Sequence, residues 1–423
     1  MGVLNPAQAT AAQRVAGEPS TAPASLARYT VVEDTESWST VLYGDRDFAK
    51  LGEFVNSSLQ RERTDELSSA YLNRLYNNLA NLPAHSDRTY TEADEQQLAE
   101  SLAVVDKWIA KFPNSHIPYV VRGNLHFKHG WQIRGNSIAA RVPNDAWPPF
   151  LQSMELAKAD LEKAAALNPN DPNVWSSLLN VARGLSLPES VWQGYYERGI
   201  AANPYHIDIW GTKSVLLEAK WQGDEARLLQ LAQECDRLAK AANKPLLGLV
   251  PIGIYRGVAK VHEGFLTQPG VWGEMEASYS RIFAAYPDNL RARFYYTYDA
   301  SLAQRADRAA EQFEIIGDRW TNSNPWPSLK TYHEARATTL QMLSTDAYNQ
   351  ADYLQAEHLA LKSLDLLPMA STYLMLAGIQ GQHYRDMPRA VEYAQQALTV
   401  NPSPEERLYA EEIIARAEAY MKP

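Results

Sequence analysis

The sequence predicts an all-α fold, a curved stack of helix pairs, and three observations carry that expectation. Apolar residues return at three- and four-residue intervals along most of the 423 residues, which places them on one face of a helix. No run alternates apolar and polar residues as a half-buried strand does. Several prolines share one setting, after an apolar helical run and before a few polar residues and a new helix. The missing N–H and fixed φ of proline end one helix and begin the next.

Residues 1 to about 28 are rich in Ala, Thr, Ser, Pro and Gln and carry almost no large apolar side chains. Such a stretch cannot offset its own ordering entropy, and a disordered tail is expected. Order should begin near Tyr29, with helices over the segment from Asp45 to Glu62 and the segment from Glu66 to Leu82. In the second, Leu67, Tyr71, Leu72, Leu75 and Leu79 form one apolar stripe. These make an N-terminal helical segment over 29–115, followed by a helical repeat region over 116–245 and further repeats over 246–423.

The prolines that close helical runs are Pro113, Pro169, Pro204, Pro287, Pro368 and Pro402. Pro169 to Pro204 spans 35 residues and Pro368 to Pro402 spans 34, the period of the tetratricopeptide repeat. Counting back from Pro402, Ala397, Ala390 and Gly378 fall where that repeat needs small residues, with Leu374 in place of its early Trp. Counting back from Pro169, Ala164, Leu161 and Ala157 fit as well. Small residues belong there because the two helices of a pair approach closely. The 83-residue gap from Pro204 to Pro287 fits poorly. Each pair leaves an apolar face for the next to bury, so the expected architecture is a tetratricopeptide-like α-solenoid, a right-handed superhelix with a concave surface.

Between about residues 118 and 245, Trp131, Arg134, Gly135, the Phe150 to Pro169 helix with its closing turn, Trp175, Trp221 and Gly223 form a more particular pattern. It resembles a bacterial family known as domain of unknown function 4034. That resemblance implies a tetratricopeptide-like helical fold and no known activity. The family's later motif runs Trp-Gly-Gly-Ser, where this chain has Trp221, Gln222, Gly223 and Asp224.

The formal charge of −10 and the absence of a Lys/Arg cluster argue against nucleic acid, whose phosphates are bound by clustered cations. An acidic surface suits neutral or basic partners. No run approaches the ~18 apolar residues of a membrane helix, and the start MGVLNPAQATAAQ lacks the apolar stretch of a signal peptide. Pro6 also breaks the myristoylation pattern that Gly2 opens. A bacterial cytoplasm is the expected compartment. The single cysteine, Cys235, sits at helical spacing and reads as a buried thiol.

His126 and His129, three apart, begin a metal site on paper, but no further ligand follows at useful spacing and a catalytic zinc needs three. In the same stretch Trp131 and Arg134 are either a partner-binding surface or the pin of an irregular connection, and the pin is the plainer reading. Trp147 and Trp326, each beside prolines, read as exposed anchors or as plugs at a helix start. Phe294, Tyr295, Tyr296 and Tyr298 cannot all share one helix face, so a ring among them points outward.

His262-Glu263 and His333-Glu334 lack the second histidine of the zinc-protease motif, having Leu266 and Ala337 there. No nucleophile elbow, phosphate loop or dinucleotide fingerprint occurs. The reading is therefore a non-enzymatic scaffold that binds another protein, without cofactor or metal, with Trp131, Arg134, Trp147, Tyr295, Tyr296, Tyr298 and Trp326 as partner-binding candidates. The alternatives are an acidic inhibitor that masks a basic toxin or enzyme, and an enzyme with a site between repeats.

Overall fold

The computed structural model describes residues 38–62, 66–80, 82, 90–221, 223–320 and 324–422. The tail expected over 1–28 lies outside the described residues. Among these residues every regular element is helical and no strand occurs. They fall into two compact units, 1–250 and 251–423.

The first unit holds α1 (Phe48–Glu62), α2 (Glu66–Leu79), α3 (Glu92–Lys111), α4 (Ile117–Arg134), α5 (Trp147–Leu167), α6 (Pro172–Gly184), α7 (Glu189–Ala202), α8 (Ile207–Leu216) and α9 (Glu225–Ala241). Neighbours in sequence pair, notably α4 with α5 and α6 with α7, while α2, α4, α6 and α8 meet in a row. That is the adjacency of stacked helix hairpins, with one layer formed by the first helix of each pair. The expected stripe is real where it is described, since Leu72, Leu75 and Leu79 are fully buried, each worth about 1.5–3 kcal/mol.

The small residues do the work expected of them. Ala157, Leu161 and Ala164 of α5 are fully buried, and α4 comes so close at Gly123 that a Cβ there would lie 2.8 Å from Leu161 Cγ and 3.2 Å from the Ala157 carbonyl. Asp171 caps α6 by accepting the Asn173 N–H at 2.9 Å, and Asp224 caps α9 in the same way through Arg227.

The prolines do more than stop helices. The carbonyl of Pro169 accepts the Trp175 indole N–H at 2.8 Å and that of Pro204 accepts the Trp210 indole at 2.8 Å. Pro113 accepts the Tyr119 hydroxyl at 3.3 Å, and Pro287 accepts the Arg293 guanidinium at 2.7 Å. In each case the donor stands six residues on, inside the next helix. At Pro368 and Pro402 that place holds Leu374 and Leu408, which have no N–H or O–H to give.

Through the 83-residue gap in the proline pattern the chain runs as α8, α9, α10 (Leu249–Ala259) and the helix over Pro269–Ala285, with short 3₁₀ turns between them. At Gly223 the backbone passes so near Leu217 that a Cβ would lie 2.0 Å from its carbonyl oxygen. Cys235 is buried in α9 with its thiol on the Leu247 carbonyl.

The second unit holds α11 (Pro269–Ala285), α12 (Leu290–Leu302), α13 (Ala306–Ile316), α14 (Leu329–Asn349), α15 (Tyr353–Leu366), α16 (Ala370–Gly378), α17 (Met387–Thr399) and α18 (Pro404–Met421). Pairs α12–α13, α14–α15 and α16–α17 repeat the hairpin, and α18 covers the last. Leu374, Ala377, Ala394, Ala397 and Ala410 share one core cluster. Gly378 departs from expectation. A Cβ there would meet nothing within 4 Å, because α16 passes at that point into a π-helical turn, Ile379–Tyr384, and does not press on its neighbour.

Candidate functional site

The layer of α2, α4 and α6 presents one polar face. Helical spacing puts Asn73 and Asn77 of α2 one turn apart, Asn124, Phe127 and Trp131 on one side of α4, and Ser176, Asn180 and Arg183 on one side of α6. Asn73, Asn77, Asn124, Phe127, Ser176 and Asn180 line a cleft of about 60 Å³. That is room for about two waters and far below the ~300 Å³ of a small-molecule site.

Asn124 is 8 % exposed and its amide has no hydrogen-bond partner among the described residues. Asn180 donates to the Ser176 carbonyl and to Thr212, at 3.1 and 3.4 Å, which leaves its amide oxygen open. An amide offers one acceptor and two donors in a plane. Such groups match a peptide unit, which also offers one of each.

The floor of the face is held rigid. Asp171, fully buried, accepts the Tyr76 hydroxyl at 2.8 Å and the Asn173 amide at 2.9 Å, and meets His116 Nε2 at 3.1 Å. His206 in turn meets Asn173 Oδ1 at 3.1 Å. Burial opposes ionisation of Asp171, but His116, Asn173 and Tyr76 outweigh it and hold the carboxyl below its usual range. One carboxylate thereby ties together α2, the start of α4 and α6. Lys128 donates to the Asn77 and Ala80 carbonyls at 2.5 and 2.8 Å, closing the end of α2, and burial pushes its amine down to about 8.

One turn beyond Asn180 the face becomes aromatic. The Arg183 guanidinium lies 5.7 Å from the Trp131 ring centre and 5.9 Å from that of Trp221. Trp131 packs edge-on against Phe150 at 5.3 Å, and Arg134 covers Trp131 and Trp147 at 5.0 and 5.3 Å. Arg183 Nε and the indole nitrogens of Trp131 and Trp221 are all shut in without an acceptor.

The structure brings Trp131, Arg134 and Trp147 together, and Trp221 of the same sequence pattern joins them through Arg183. Arg134 also donates to the Gly135 and Ser137 carbonyls at 3.0 and 3.2 Å, so it fastens the irregular connection after α4. Trp147 begins α5 and is half-buried. In the second unit Tyr298 meets Trp326 edge-on at 5.3 Å, and Trp326 also packs near Phe313 and Tyr332. Tyr296 lies in the core against Tyr279, with its hydroxyl on Glu276. Tyr295 is half-buried under Arg256, 4.5 Å away. That arginine is held above its usual range because Asp299 pairs with it, although burial opposes the charge.

His129 does not stand free for a metal. Its Nδ1 meets Ser153 Oγ at 2.9 Å, and its Nε2 meets the Tyr90 hydroxyl at 2.8 Å and Glu95 at 3.3 Å. A serine, a histidine and a carboxylate in this order invite comparison with a catalytic triad. Ser153 is 4 % exposed within α5, so a substrate carbonyl has no approach to it. His126 faces Asp160 at 3.9 Å, and no three potential ligands converge among the described residues.

An open trough of about 570 Å³ runs beside Ala165, Trp175, Tyr195 and Arg198. Its one carboxylate, Glu162, accepts the Tyr195 hydroxyl, and it gathers no set of groups suited to acid–base work. Among the described residues no helix is long and apolar enough to cross a membrane.

No family model matches the chain, so the resemblance of residues 118–245 to the bacterial family has no such support. No curated protein matches it either. Solved structures similar to it include a tetratricopeptide repeat protein from Parabacteroides merdae, at 12% identity and TM-score 0.27, covering 81% of this chain and 98% of that one. Yeast Tom70 is similar at 10% identity and TM-score 0.25, covering 93% and 96%. The Naa15/Naa10 complex bound to HypK-THB is similar at 13% identity and TM-score 0.21, covering 92% and 66%. Superpositions this loose carry no argument, and the repeat fold rests on the helix pairing described above.

Proposed function

We propose that the chain is a non-enzymatic scaffold that binds a segment of another protein on the polar face of α2, α4 and α6. The observation that carries this reading is Asn124, an amide 8 % exposed, facing a cleft and bonded to nothing among the described residues. The Asn124 amide opens onto this cleft and is not shut in like the Trp131 and Trp221 indole nitrogens, and a main-chain peptide unit supplies both an acceptor and a donor for it. Asn180 extends the same chemistry along the face, and Asn73 and Asn77, joined by a 2.6 Å bond from the Asn77 amide nitrogen to Asn73 Oδ1, add polar groups to it, while the cleft is too small for a metabolite-sized ligand.

The experiment is affinity capture with the full chain, comparing wild type with Asn124→Leu/Asn180→Leu. A protein recovered near stoichiometry by wild type and lost by the double variant, with helical circular dichroism unchanged, is the expected result. Equal recovery by both would remove this face from the function. Recovery of nothing by wild type would remove the scaffold reading.

A further inference from the structure

We infer that Arg183, flanked by Trp131 and Trp221, seats an acidic side chain, Asp or Glu, of the polypeptide segment held by the asparagine face. This rests on the scaffold reading above and names the chemistry of its partner.

Several exposed arginines are also unpaired among the described residues, but Arg183 is half-buried and still unengaged. Arg122 holds Asp160 at 2.6 Å and Arg256 holds Asp299 at 2.5 Å, and Arg227 pairs with Glu189. Arg183 makes no ion pair or side-chain hydrogen bond with any described residue, and its Nε is shut in without an acceptor. The carboxylate that acts on it from a distance, Glu218, is paired with Lys220 at 2.5 Å. Burial pushes the guanidinium below its usual range, with Glu218 opposing.

A planar cation held between two indoles is oriented by them and loses little freedom on binding. Its planar fork matches a carboxylate. The chain's formal charge of −10 gives no general attraction for acids, so an acid must be recognised locally, and this is a local cation without a counter-ion.

Spacing sharpens the inference. Arg183 follows Asn180 by three residues on α6, an axial step of about 4.5 Å. An extended segment advances about 3.3 Å per residue. The acid therefore falls one or two residues from the peptide unit held by Asn180.

The test is a positional-scanning library of N-acetylated, C-terminally amidated hexapeptides, bound to the full chain at equilibrium. Amidation removes the terminal carboxylate, so any acid selected is a side chain. Wild type is expected to prefer Asp or Glu over Asn or Gln at one position by about tenfold, the low end for a charge-assisted hydrogen bond. Arg183→Met, which keeps a long apolar stem between the indoles, should lose that preference with circular dichroism unchanged. Should Arg183→Met unfold, Arg183→Lys retains the charge without the fork and should show a reduced preference.

Hexapeptides bound without acid preference, or a preference that survives Arg183→Met, would overturn this seat and leave the scaffold reading in place. Failure of wild type to bind any hexapeptide would overturn both.

Discussion

Asp171 offers the sharpest test of how the binding face is held. Its carboxylate accepts from the Tyr76 hydroxyl at 2.8 Å and from both the main-chain and side-chain nitrogens of Asn173 at 2.9 Å, besides its contact with His116. Asp171→Ala removes a helix cap, worth about 1 kcal/mol, and leaves the buried Tyr76 and Asn173 donors without their acceptor at about 1–3 kcal/mol each. The expected loss is about 3–7 kcal/mol. For a unit of this size that lowers Tm by roughly 6–28 °C.

The assay is thermal unfolding by circular dichroism, with a double-mutant cycle through Tyr76→Phe. The cycle should show coupling of about 1 kcal/mol or more. A loss under about 1 kcal/mol, or strict additivity with Tyr76→Phe, would refute the claim that this carboxylate ties the helices together. Acid supplies a second check. Because the folded state holds Asp171 below its ordinary value of 3.8, its contribution is complete above that value and is lost as pH falls through the lowered one. Wild type should therefore lose more stability than Asp171→Asn on acidification below about pH 4.

Three further outcomes follow from packing and burial. Gly123→Ala should cost about 1–3 kcal/mol in urea unfolding at constant m, since a Cβ meets the Ala157 carbonyl, whereas Gly130→Ala should cost less because its nearest obstacle is the flexible end of Met154. Equal costs would contradict the geometry. Cys235, whose thiol is buried and pushed upward chiefly by that burial, should resist a disulfide reagent until α9 opens in urea, and fast labelling of the native chain would refute this. His126 is held below 6.5, chiefly by burial, with Asp160 opposing and Arg122 and His129 assisting. The unfolded chain then binds the proton more readily, so stability should fall as pH drops through 6.5, and His126→Gln should flatten that slope.

The helix pairs were legible because a 34- or 35-residue proline spacing and apolar stripes are properties of the chain itself. Trp131, Arg134 and Trp221 were legible as a pattern, but not as neighbours, since α5 to α8 lie between them. Asn124, Asn180 and Arg183 do not stand out in the sequence. Asparagine on a helix reads as a solvated residue, and its burial depends on α2 and α6 closing over α4, which periodicity within one helix does not report. The Ser176, Asn180 and Arg183 spacing was the signal available, a polar stripe on a helix whose other side is fully apolar. Tyr296 is the reverse case: four aromatics within five residues are prominent in the sequence, yet the ring sits in the core because α11 supplies Tyr279 and Glu276 to receive it.

The prolyl carbonyls that accept a side chain six residues on have a mechanical consequence. Such a bond triangulates the turn, so the angle between successive hairpins at Pro113, Pro169, Pro204 and Pro287 resists bending like a braced corner. The turns at Pro368 and Pro402, where leucine occupies the bracing place, are the compliant ones. Elastic strain applied to the chain would accordingly concentrate near its C-terminal hairpins and spare the layer that carries Asn124 and Arg183.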